Sequence, residues 1–137
     1  MFAHHIEVNL SVEEAVQWIE RYLEDKKFQL LWKYDVPTKL LEQGIHFHQP
    51  YWILELAHPD LTKKMLMNDL MSGLGLPCKM VVYRDETTGK TKIAMLKPTL
   101  LLSYMETETL SEIAKQLEDK MIQLLNEVER QTISEIC

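Results

Sequence analysis

The chain has 137 residues, 46% of them hydrophobic and 26% charged, with 15 basic against 21 acidic side chains and a net charge of −6. One domain spanning residues 1–137 would hide roughly 70% of its unfolded surface, which excludes global disorder and any need for a disulfide or metal staple. Lys26-Lys27 and Lys63-Lys64 are isolated pairs, not the basic stripe that phosphate neutralisation leaves, so no nucleic-acid partner is expected.

The first segment alternates: Ile6, Val8 and Leu10 share a face, which is strand spacing. Ser11 follows, with Glu14 three residues on, the capping box in which each side chain satisfies an amide of the new helix. Val12, Ala15, Val16, Ile19, Tyr22 and Leu23 then recur at helical spacing and predict an amphipathic helix from 12 to about 26. Phe28, Leu30, Trp32, Tyr34 and Val36 make a period-two run, so a second strand is predicted over Phe28 to Val36 with its aromatic even-numbered face buried. Pro37 ends it, and Thr38 to Gln43 is a short turn of helix closed by Gly44.

Tyr51 to Ala57 is apolar on both faces and predicts a central strand. His58-Pro59 breaks it, and Asp60 is the expected cap of a helix through Leu61, Met65, Leu66 and Leu70, ended by Gly73 and Gly75. Cys78 to Arg84 and Thr91 to Leu96, separated by Asp85 to Lys90, predict a hairpin whose acidic turn is solvated. Pro98 starts a short helical stretch to about Met105. Thr109 or Ser111 opens a last helix, lined by Ile113, Leu117, Met121, Leu124, Leu125 and Val128, to about Arg130. Mixed strands and helices ending in a hairpin suggest an α+β fold, a mainly antiparallel sheet with helices on one face.

Two cysteines far apart, Cys78 and Cys137, are not a disulfide framework. No secretory leader is read at the start, where His4, His5 and Glu7 interrupt the apolar residues, and no run approaches the ~20 residues that cross a bilayer. A reducing, cytoplasmic setting without membrane contact is the default.

Two stretches stand out. Gly44-Ile45-His46-Phe47-His48-Gln49-Pro50-Tyr51-Trp52-Ile53-Leu54 is followed by Gly73-Leu74-Gly75-Leu76-Pro77-Cys78-Lys79-Met80-Val81-Val82-Tyr83. The pairing resembles the family called domain of unknown function 302, and the resemblance extends over essentially the whole chain. It implies a curved antiparallel sheet with helices on one face, like that of the TATA-box-binding protein, and a homodimer. It implies no activity and no cofactor. Relatives carry Cys-Asn-Pro where this chain reads Ala57-His58-Pro59, so a second cysteine is missing here.

Cys78 is the candidate for chemistry: as a thiolate it would serve a thiol-dependent enzyme or redox sensor, and as a thiol it is a small buried apolar residue. His46 and His48 share a face if extended and are the weak metal candidates, needing a third convergent ligand. Phe47, Tyr51, Cys78 and Tyr83 lie near the motif strands and are the candidates for a small apolar ligand site, against ordinary packing or a dimer contact. The leading functional reading is a dimeric small-ligand or partner-binding module, because an open sheet leaves one apolar face in need of cover.

Overall fold

The capping box forms as the spacing predicts: the Glu14 amide donates to Ser11 Oγ and the Ser11 amide to Glu14 Oε1, each at 3.1 Å. In the computed structural model, which describes residues 2–104 and 107–136, this cap starts helix α1 (Val12–Asp25) directly after strand β1 (Ala3–Val8). Then come β2 (Gln29–Asp35), α2 (Val36–Glu42), β3 (Tyr51–Ala57) and α3 (Pro59–Asn68). A 3-10 turn (Leu70–Gly75) leads to β4 (Cys78–Arg84), β5 (Thr91–Leu96) and the short α4 (Pro98–Leu101). A second 3-10 turn (Leu102–Tyr104) and the long α5 (Glu108–Ile136) complete the chain. Met105 and Cys137 lie outside the described residues.

The five strands form one open sheet in the order β1-β5-β4-β3-β2, every pair antiparallel. The fold is therefore the α+β class expected, and β3 is an interior strand beside the central β4. The hairpin matches its predicted limits, and its turn is solvated: the Thr87 amide donates to Asp85 Oδ1 at 2.9 Å.

One sheet face is closed by helices. It carries Ile6 and Val8, Ile93 and Met95, Met80 and Val82, and Leu54 and Leu56, all buried. Against them α1 lays Val12, Ala15, Val16, Ile19 and Leu23, and α5 lays Leu117, Met121, Leu124, Leu125 and Val128. Leu61 and Met65 bring α3 into the same core. Thr91, buried on this face, satisfies its hydroxyl by donating to the Leu10 carbonyl.

Three expectations need correction. The even-numbered face of β2 is not buried as a unit: the register slips between Leu30 and Trp32, so Leu30 stays on the helix side while Trp32 and Tyr34 turn to the open side. Lys33 then falls on the helix side, pairs with Glu20 of α1 at 2.7 Å and lies over the Trp52 ring. Secondly, α3 is capped by His58 and not Asp60: Leu61 N–H donates to His58 Nδ1 at 3.3 Å, and Pro59 fills the first helical position, where its missing amide costs nothing. Thirdly, α5 is opened by Thr107 and not by Thr109 or Ser111, the Thr107 hydroxyl oxygen accepting from the Leu110 amide; the tail beyond Arg130, which the sequence left free to continue or fray, continues as helix to Ile136.

Candidate functional site

Strand alternation sends every second side chain of β1, β5, β4, β3 and β2 away from the helices. On that open face Tyr51, Tyr83, Lys92 and Glu7 stand in one row across the sheet. Tyr34, Ile53, Val81, Ala94 and His5 stand in the next, and Trp32, Glu55 and Lys79 in a third. The centre is apolar. It is flanked by two aromatic pairs, Tyr51 stacked on Tyr83 with ring centroids 5.2 Å apart and Trp32 tilted against Tyr34 at 5.0 Å. Burial and the neighbouring Tyr83 raise the Tyr51 hydroxyl above its usual range, so it stays neutral at pH 7. Trp32 remains 45% exposed.

The residues proposed for a ligand site divide among three places. Tyr51 and Tyr83 are neighbours on the open face. Cys78, on the same strand as Tyr83 but five positions away, points to the helix side with Met80 and Val82 and is buried. Phe47 lies in the loop after α2, where it borders a shallow hollow of about 190 Å³ with Pro37, Leu41 and Ile45. His46 and His48 line that hollow too, exposed and stacked at 6.1 Å. No group of three metal-binding side chains occurs among the described residues.

Cys78 borders a cavity of about 370 Å³ at the end of the sheet where β4 begins and β5 ends. Leu74, Leu76 and Pro77, on the approach to β4, form one wall. Leu96, Pro98 and Leu101 form the other. Packing is tight behind the cavity: a Cβ on Gly75 would stand 2.8 Å from Leu102 Cδ2, so a larger residue there would require the buried Leu102 side chain to shift. Thr99 holds α4 in place, its hydroxyl donating to Glu118 Oε1 of α5 at 2.6 Å. Glu55 and Lys79, directly opposed on β3 and β4, supply the charged side of the cavity.

Burial pushes the Cys78 thiol up to about 12. At neutral pH it is therefore protonated, and a protonated thiol is neither a nucleophile nor a metal ligand. Lys79, next to it on β4, points to the opposite face. The residue opposite Cys78 on β3 is Leu56, whereas Ala57 projects to the open side. Among the described residues Cys78 has no disulfide partner.

Sequence reasoning read His58 as the break after β3 and missed its role as a buried cap. Its ring is 4% exposed, packs edge-on against Phe28 at 5.2 Å and caps α3 through Nδ1, leaving Nε2 buried with no partner. Burial, then Lys120 of α5, lower its pKa below 6.5. The signal lay in the Ala57-His58-Pro59 step, where a proline at a first helical position implies a cap just before it. It missed the cavity as well, because residues 55, 74–79 and 96–101 meet only in the folded chain.

The profile of the family described as Domain of unknown function DUF302 matches residues 4–128. Among solved structures, the chain is similar to the crystal structure of an uncharacterised conserved DUF302 protein from Bacillus stearothermophilus, with 36% identity and a TM-score of 0.86. That similarity covers 92% of this chain and 97% of the other. No match is found among curated proteins.

Proposed function

The chain belongs to the DUF302 family, and from that premise we propose that it is a non-enzymatic binding module that works as a homodimer, with the open sheet face as the joint. One observation carries this reading. α1, α3 and α5 all pack on one side of the sheet, while the other side presents Ile53, Val81 and Ala94 between four aromatic rings. Tyrosine and tryptophan favour such surfaces because they offer large apolar area with a polar edge at little entropic cost. A second copy is the occupant the charges favour. The strand charges on this face, Glu7 and Glu55 against Lys79 and Lys92, cancel. A face without net charge approaches its own copy without repulsion, although the whole chain carries −6. A reducing cytoplasm suits the buried thiol of Cys78 in this reading.

Lysine footprinting tests it. Lys79 and Lys92 should be shielded from acetylation in concentrated protein and become reactive on dilution, while exposed Lys63 and Lys64 react equally in both. Equal labelling of all four at every concentration removes the joint.

A second reading concerns the cavity beside Cys78, whose mostly apolar walls and size suit a small molecule. It requires no reaction at the sulfur.

A further inference from the structure

We infer that the cavity beside Cys78 binds a small zwitterion with an aliphatic body, of the chemistry of a free hydrophobic amino acid. The inference rests on the small-molecule reading of that cavity and names the class of ligand. Two features of the site carry it, one for each half of the ligand.

The first is the wall. Leu74, Leu76, Leu96 and Leu101 face the space together, and it is this clustering of leucines around one hollow that offers an apolar ligand a wall. A volume of about 370 Å³ is enough for an aliphatic side chain and its head group and too small for a folded partner to enter.

The second is the charge. Glu55 and Lys79 are cross-strand partners, a placement that brings Cβ atoms within about 5.5 Å and normally lets opposite charges meet. Among the described residues neither takes part in an ion pair, although five others are formed elsewhere in the chain. Within one copy the carboxylate and the ammonium are both left to the space they border. A singly charged ligand would be attracted by one member of this pair and repelled by the other. A head group carrying both charges satisfies both, its carboxylate accepting from Lys79 Nζ and its ammonium donating to Glu55. The sheet then holds the polar end while the leucines hold the body, and the orientation is fixed by charge.

Isothermal titration of the full chain with L-leucine, N-acetyl-L-leucine, L-leucinamide and 3-methylbutan-1-ol tests the assignment. L-leucine should bind saturably. Blocking either its amine or its carboxylate should weaken binding at least about tenfold, the loss expected for one charge-assisted hydrogen bond. Lys79→Met and Glu55→Gln should each weaken L-leucine by a similar factor, with an unchanged thermal melt reporting an intact fold. If the alcohol binds as well as the amino acid, the cavity is an apolar site and the zwitterion is wrong. If none of the four binds, the small-molecule reading fails with it. Sedimentation of each variant reads self-association separately, so neither result is confused with loss of the joint.

Discussion

Two side chains set the chemistry of single residues here, Cys78 and His58. Cys78 was legible as a candidate, since the Leu-Pro-Cys step marks it in the sequence, but whether it is reactive depends on burial, which only the fold supplies. With its thiol pushed up to about 12, it should alkylate with iodoacetamide far more slowly at pH 7.5 than the same residue in denaturant. Fast labelling of the native chain at Cys78 would contradict the buried placement. His58 makes a pH prediction. Its folded pKa lies below 6.5, because burial, Lys120 and Lys27 oppose the charge more than Asp60 favours it. The unfolded chain therefore takes up the proton first as pH falls. The fold keeps its full stability above the unfolded value of about 6.5 and loses it as pH falls below that through the lowered folded pKa. Protonation also removes the lone pair on Nδ1 that caps α3. Urea titrations should show a steeper loss over this window for the wild type than for His58→Asn, which retains a cap without a titrating ring. Equal slopes would place the pH response elsewhere.

At the scale of elements, the sequence was read best where one periodicity ran unbroken. α1 and the β4–β5 hairpin lie where the apolar spacing and turn residues put them. β2 shows the opposite case. Its alternation of Phe28, Leu30, Trp32 and Tyr34 is regular in sequence, yet a one-residue irregularity after Leu30 reverses the faces beyond it. Nothing local announces the slip, because an aromatic residue suits a buried face and an association face equally well. The consequence is measurable. Leu54→Ala, at a fully buried position under the helices, should cost about 2–5 kcal/mol in chemical denaturation. Trp32→Ala in dilute protein should cost well under about 1 kcal/mol, since the ring is half exposed on the open side. A large loss at Trp32 in the monomer would restore the buried aromatic face that the alternation suggested.

For the whole molecule, the order β1-β5-β4-β3-β2 decides what the chain has to offer. Helices follow strands so that all the larger ones return to one side, and the other side is left with Ile53, Val81 and the aromatic rings. The sequence made this layout legible through the two apolar faces of β3. It could not reveal which polar residues interrupt the open face, or that Glu55 and Lys79 end beside a cavity, because those neighbours are set by strand register. No helix among the described residues is long and apolar enough to cross a membrane. Sedimentation equilibrium at micromolar concentration, comparing the wild type with Ile53→Lys, puts the question to the molecule directly. Two copies per particle for the wild type and one for the variant, with matching thermal melts, is the result this account requires. A wild type that stays single throughout the micromolar range, or a variant that still pairs, would contradict it.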